Sequence, residues 1–363
     1  NIQITMETNQ PNNKEQGLIK MIQRMLNLII VLVAFIVLLP LVIYNVDTVS
    51  SWFKPTNSNA VTPPFPETIT ANKNSKETTN VAFWQPKAMD AVADPALKEQ
   101  VYYGRELIAH TAKYLGPNGS VLQITNGQNC QNCHLQAGTM AFGNNYGSVA
   151  ATYPKFRARS GTSENIYKRV NDCFERSLNG KALDTASKEM QAIVAYINYI
   201  GSNVPKGEKA VGAGLKELAF LDRAADPTKG KIVYETKCQS CHQANGEGVL
   251  NPDKVEYSYP PLWGKHSFND GAGLFRITNF AKFIKYNMPL GVTHENPQLT
   301  DEEAWDVSAY VLAQARPHIA VPNDWPDITK KPIDHPFGPY ADPFSEKQHK
   351  YGPFKPIAEK AKK

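Results

Sequence analysis

Cys130-Gln131-Asn132-Cys133-His134 and Cys238-Gln239-Ser240-Cys241-His242 are the stretches whose reading decides the fold. Each spells Cys-x-x-Cys-His. In that word two thiols can form thioethers to the vinyl groups of a porphyrin, and the adjacent imidazole can reach the iron as its proximal ligand. A lone Cys-x-x-Cys would equally suit a thioredoxin-like dithiol. Two copies, each closed by His and each followed by matching downstream elements, point instead to two covalently attached haem c groups. Cys130, Cys133 and His134 would hold the first, and Cys238, Cys241 and His242 the second. Of the five cysteines in the chain, only Cys173 is then left, so it has no partner for an intrachain disulfide.

Working outward, the two words sit in a degenerate repeat. In the second copy Gly230-x-x-Val233-Tyr234 opens a helix that runs into Cys238. A loop containing Met288 follows, and then a helix entered through the capping box Thr300-x-x-Glu303 and carrying Val307 to Val311. The first copy has Gly104-x-x-Leu107, an insertion before Cys130, and a closing helix with Ile193 to Ile197. A small Gly on one helix opposite an aromatic on the other lets two helices cross closely. The sequence thus predicts a mainly α fold with two class I cytochrome c domains in tandem, at residues 81–203 and 214–316, joined by a linker at 204–213. The Pro-rich segment 317–363 also contains Trp325, Phe337, Tyr340, Phe344 and Tyr351, and is expected to wrap the surface in extended form.

The N-terminal side reads as an anchor. Residues 25–44 are almost wholly apolar, and at about 1.5 Å per residue they would cover the roughly 30 Å of a bilayer core. The run is longer than a signal-peptide core and lacks a clear Ala-x-Ala site. Lys14, Lys20 and Arg24 precede it, which predicts a cytoplasmic N-terminus at 1–24, a transmembrane helix, and haem domains on the periplasmic side of an inner membrane. Residues 45–80, rich in Ser, Thr, Asn and Pro, would be a flexible tether. A net charge of +5 without any long Lys/Arg run excludes a nucleic-acid partner.

The sixth ligands distinguish the two haems. Met288, in Asn287-Met288-Pro289, stands where a Met ligand to the second iron is expected, and Lys282 and Lys285 read as solvated neighbours. The equivalent loop of the first domain has no Met; Met140 is too close to His134, and Met190 falls at a packing position. The loop does contain Cys173, a strong iron ligand when ionised. From Lys155 to Lys181 seven cations face three acids. On a helix expected from Ser163 to Asn179, Arg169, Cys173, Arg176 and Ser177 recur at i, i+4, i+7 and i+8 and share a face. Guanidinium groups beside a thiolate lower its pKa and offer forked donors to a sulfonate.

The words Tyr153-Pro154-x-Phe156-Arg157-x-Arg159-x-Gly161, Asn171 to Gly180, Tyr259-Pro260-Pro261-Leu262-Trp263-Gly264, Ser267 to Gly273 and Pro336-Phe337-Gly338-Pro339-Tyr340 resemble the dihaem thiosulfate dehydrogenases over about residues 81–354. The resemblance implies His134/Cys173 ligation of the first iron, His242/Met288 ligation of the second, and oxidation of two thiosulfates to tetrathionate. It also implies substrate contacts from Arg159, Arg169 and Ser177. The expected partners are thiosulfate and tetrathionate, a membrane reached through the N-terminal helix, and an electron acceptor such as a c-type cytochrome or a membrane-bound oxidase or other complex. The anchor departs from the soluble members of the family. The competing reading is a non-catalytic, membrane-anchored electron-transfer subunit of a terminal oxidase, which would need Met at both irons; Cys173 and its cationic face argue against it.

Overall fold

The computed structural model describes residues 20–33 and 82–361. The chain divides into two units, Asn1–Thr78 and Thr79–Lys363. In the first, residues 20–33 are helical. Among the described residues no helix is long and apolar enough to cross a membrane. This overturns the placement in an inner membrane through a single span at 25–44. Residues 34–44 of that span, most of residues 1–24 and the whole tether at 45–80 lie outside the described residues.

The second unit is mainly helical and contains two hydrophobic cores. The first gathers Leu107, Ile108, Phe174, Met190, Ile193 and Tyr196; the second gathers Tyr234, Trp263, Phe280, Trp305, Val307 and Phe354. In the first domain, helix α1 (Pro95–Ala109) starts where Asp94 accepts from the Ala96 N–H at 3.0 Å, which satisfies one orphan donor. It crosses helix α3 (Lys188–Ile200). A Cβ on Gly104 would stand 2.0 Å from the Ala192 carbonyl oxygen, so only glycine permits this approach. The second domain repeats the arrangement with helix α4 (Pro227–Lys237) and helix α6 (Asp301–Ala313). There a Cβ on Gly230 would meet the Asp306 carbonyl oxygen at 1.9 Å. The capping box at Thr300 forms as the sequence predicts: Glu303 N–H donates to Thr300 at 3.1 Å, and Thr300 N–H donates to Glu303 at 2.8 Å.

Two details differ from expectation. The helix bearing Cys173, α2, runs only from Ile166 to Arg176 with Asn165 as its N-cap. Thr162–Glu164, just before it, pairs as strand β2 with β1 (Lys155–Arg157) in an antiparallel hairpin. The hairpin aims the segment from Arg157 to Arg159 back toward α2. The tail is likewise not simply extended, because it ends in helices α7 (Glu346–Tyr351) and α8 (Lys355–Lys360). Phe354 and Ile357 enter the second core, and burying a side chain of that size stabilises by about 1.5–3 kcal/mol. Tyr340 stacks on His349 with centroids 3.7 Å apart.

Substituting Gly104 or Gly230 by Ala should lower the thermal midpoint of each variant, at a cost of about 1–3 kcal/mol for forcing two backbones apart; wild-type melting curves would contradict the packing. The tail also carries a pH response. His335 lies between Trp325 and Phe337 and donates from Nδ1 to the Phe337 carbonyl at 3.1 Å. Burial pushes its pKa down to about 4, whereas an unfolded His takes up a proton near 6.5. Between those values unfolding binds a proton, so stability falls as pH drops from about 6.5 through about 4. His335→Gln should flatten that part of the melting-temperature profile relative to wild type. Equal slopes would show that His335 does not contribute.

Candidate functional site

The two Cys-x-x-Cys-His words present their histidines in the same way. The His134 Nδ1–H donates to the Asn144 carbonyl at 2.6 Å, and the His242 Nδ1–H to the Pro260 carbonyl at 2.8 Å. A carbonyl can only accept, so each Nδ1 carries the proton and each Nε2 lone pair is left for a metal. The His134 ring is further fixed by stacking on Tyr146 at 4.6 Å. Burial pushes the Cys130 and Cys133 thiols up to about 12 and Cys238 up to about 11; unmodified, these would be inert thiols. The donor set therefore fits a haem c at each word. Two cytochrome c domains, each with its Cys pair, imply haem c as the cofactor.

Cys173 behaves differently from the other buried thiols. Burial alone would raise its pKa, but Arg169 and His134 outweigh it and hold the thiol at about 7. The Arg169 Nη1–H donates to Cys173 Sγ at 3.2 Å. Arg169 is itself held charged, first of all by Cys173. The His134 and Cys173 side chains lie close enough to interact, and both line a cavity of about 340 Å³ together with Arg157, Arg159, Arg169, Arg176 and Ser177. Ser177 closes α2, its N–H donating to the Cys173 carbonyl. Cys173 and the three residues expected to contact substrate, Arg159, Arg169 and Ser177, are therefore brought to one cavity.

The second domain locks this site from the outside. Asn269 N–H donates to the Arg176 carbonyl at 3.1 Å, and its side-chain amide donates to the Glu175 carbonyl at 2.8 Å. These bonds supply partners to carbonyls in the last turn of α2, where the intrahelical ladder ends. Arg159 Nη1 donates to the Gly271 carbonyl at 3.3 Å. The tail then covers the arginines. Asp324 pairs with Arg176 through two bonds of 2.8 and 2.9 Å and lies 3.9 Å from Arg159 Nε. Trp325 lies under the Arg159 guanidinium, 5.7 Å from carbon to ring centroid, and its backbone N–H donates to the Arg159 carbonyl at 2.6 Å. Among the described residues Arg159 Nε is buried with no hydrogen-bond partner. Burial and then the neighbouring Arg176 push its pKa down to about 10, so it remains charged yet incompletely paired.

Met288 follows helix α5 (Ile277–Asn287) and packs with Cys238 on the second core. Lys285 is not solvated as expected. It is buried and bonds the Leu299 carbonyl and Asp301 at 2.5 and 2.8 Å, which removes it as a spare donor. Lys282 turns toward the Cys173 cavity. Sequence reasoning missed Asn269, Asp324 and Trp325 because each acts only through a contact far along the chain. The one available signal was that Asn269 lies inside a word shared with the thiosulfate dehydrogenases.

The family described as SoxA/TsdA, cytochrome c domain, matches residues 122–205, and the family cytochrome c matches residues 227–315. Thiosulfate dehydrogenase of Allochromatium vinosum is 38% identical over 248 residues, 67% of this chain and 88% of that protein. The enzyme of the same name from Psychrobacter arcticus is also 38% identical, over 65% of this chain and 69% of that protein. A solved thiosulfate dehydrogenase (TsdBA) from Marichromatium purpuratum, in its as-isolated form, superposes with a TM-score of 0.59 at 33% identity. It covers 65% of this chain, which spans half the length of that solved chain. With both cytochrome c domains matched and the Cys173 word in place, this chain belongs to the thiosulfate dehydrogenase family of dihaem cytochromes c.

Proposed function

We propose that the chain joins two thiosulfates into tetrathionate at Cys173, where His134 and Cys173 would hold the iron of the first haem, and His242 and Met288 that of the second. The observation that carries this reading is the 3.2 Å contact of Arg169 with a buried thiol facing His134. When bound, the haems would take the two electrons one at a time and relay them to an external acceptor such as a c-type cytochrome, a thiolate-ligated iron having the lower potential and a Met-ligated iron the higher.

Arg159 and Arg169 dock the sulfonate of the first thiosulfate, each guanidinium offering a planar fork that matches its oxygens, and Ser177 adds a hydroxyl donor. The outer sulfur of the substrate then meets Cys173 Sγ. Thiolate plus thiosulfate gives Cys173–S–S–SO3⁻ and releases two electrons. A second thiosulfate attacks the outer sulfur of that adduct, forming the central S–S bond of tetrathionate and returning Cys173 as thiolate. Arg169 remains beside Sγ throughout and stabilises the thiolate as leaving group. Asp324 and Trp325 act through Arg159 and Arg176: by tying Arg176 away and supporting Arg159 from beneath, they hold the Arg159 fork toward the sulfonate.

Cys173→Ala should keep both covalent haems, read from the pyridine haemochrome spectrum, and abolish thiosulfate-dependent reduction of ferricyanide. Retained turnover would overturn the nucleophile. Arg159→Ala and Arg169→Ala should each lower the rate at limiting thiosulfate by tenfold or more, since a hydrogen bond to a charged group contributes about 1.5–3 kcal/mol. Asp324→Asn should raise the KM for thiosulfate about threefold to tenfold with a smaller change in kcat, as expected when a fork is loosened rather than removed. Asp324→Glu should recover part of that loss. A uniform fall in kcat with unchanged KM, unrescued by Glu, would show that Asp324 only supports the fold.

A further inference from the structure

The coupling reaction needs two dianions in one cavity, and the residues assigned so far account for one. Arg159 and Arg169 face the first sulfonate. Of the other first-domain arginines, Arg176 is tied to Asp324, and Arg157 lies 3.9 Å from the buried Glu164. The remaining cations on the cavity wall come from the second domain, Arg276 and Lys282, with Asn279 between them.

These three residues form a distinct stripe. Between Arg276 and Asn287 every residue is buried except Arg276, Asn279 and Lys282. Spaced by three, they fall along one side of α5, while Ile277, Phe280, Ala281, Phe283 and Ile284 of the same helix enter the second core. An otherwise buried helix therefore leaves its N-cap Arg276, and Asn279 and Lys282, only partly buried where it borders the Cys173 cavity, the Asn279 amide donating to the Gly273 carbonyl at 2.9 Å. Arg276 is held rigidly: its Nε and Nη2 contact Asp334 at 2.7 and 2.6 Å, and the Asp334 side chain is fully buried. Its Nη1 makes no hydrogen bond among the described residues. Among the described residues Lys282 pairs only with Glu217, at 2.6 Å; the Glu217 side chain also lines the cavity and is 86% exposed. A well-solvated carboxylate of that kind is readily exchanged for a better anion.

We propose that Arg276, Asn279 and Lys282 form the sulfonate subsite for the second thiosulfate. The subsite lies on the second-domain wall of the cavity and holds the attacking molecule with its outer sulfur toward the Cys173 adduct. The proposal rests on the reading of Cys173 as the site of tetrathionate formation. The two sulfonates end at opposite ends of the four-sulfur product, so their cations belong on different walls, one from each domain. The second step written above balances with no further reactant, and these cations offset the repulsion between the incoming dianion and the negatively charged adduct.

The test separates the two steps in the haem-loaded enzyme. Lys282→Gln and Asn279→Ala are compared with wild type, together with Arg276→Lys, whose buried pairing with Asp334 makes it the variant at risk of misfolding. With one equivalent of thiosulfate and excess ferricyanide, peptide mass analysis should show the Cys173 thiosulfonate forming at the wild-type rate in Lys282→Gln. Release of tetrathionate on adding more thiosulfate should slow about tenfold, the order expected for loss of one charge-assisted contact. Wild-type release in both Lys282→Gln and Asn279→Ala would overturn the subsite, and so would equal slowing of both steps. A shift in first-haem potential with unchanged thiosulfate dependence would assign these cations to the porphyrin carboxylates and would also overturn it. Because Cys173→Ala tests the underlying reading separately, a dead Cys173 variant beside a neutral Lys282 variant would reject the subsite alone.

Discussion

A thiolate cannot be buried without a partner, and the arrangement of this protein around Cys173 follows from that requirement. Removing an anion from water costs several kcal/mol unless an opposite charge and hydrogen bonds replace the lost hydration. Arg169 meets the requirement from one helical turn away, at 3.2 Å, and His134 adds to it from beside the thiol. The effect is selective. Cys130 and Cys133 share the burial without that partner and stay near 12, while Cys173 is held at about 7. Of these three buried thiols, Cys173 is the one whose burial is outweighed, by Arg169 and His134 together.

The same charge logic extends across the seam between the domains. A cluster of arginines repels itself, so its members must be divided among partners or separated. Asp324 takes Arg176, the Gly271 carbonyl takes an edge of Arg159, and Asp334 takes Arg276. Two of those partners come from the tail and one from the second domain. The long Pro-rich segment thus has a physical role: it supplies carboxylates and a Trp ring from outside, leaving the cavity wall itself cationic. Asn269, which pairs the end of α2, makes the position of Cys173 depend on the second domain being folded in place.

Much of the architecture was legible because it is written in local patterns. The Thr300 capping box, Gly104 and Gly230 opposite aromatic-bearing helices, and the two Cys-x-x-Cys-His words all act within a few residues or through sterics that a single residue type reveals. The face of α2 was also readable, since helical spacing alone puts Arg169 four residues from Cys173. Periodicity was less reliable at boundaries. The stretch from Ser163 read as helix, but Ser160 and Asn165 offer competing side-chain bonds, and the backbone turns as a hairpin before α2 begins. The anchor failed for a related reason. Apolar composition predicts a span, whereas crossing a bilayer needs a continuous helix of sufficient length, which the described residues do not supply.

The sequence by itself determined the haem words, the tandem helical domains and the odd thiol in a cationic stretch, because covalent chemistry and helical spacing are local properties. Tertiary structure alone decided which cations remain free. Whether an arginine faces substrate depends on where distant carboxylates land, and Asp324, Asp334 and Glu217 are set by how the tail and the second domain fold back, which no spacing encodes. Burial then fixes the magnitude, since the same charge pair is weak in water and strong in a closed cleft between two domains.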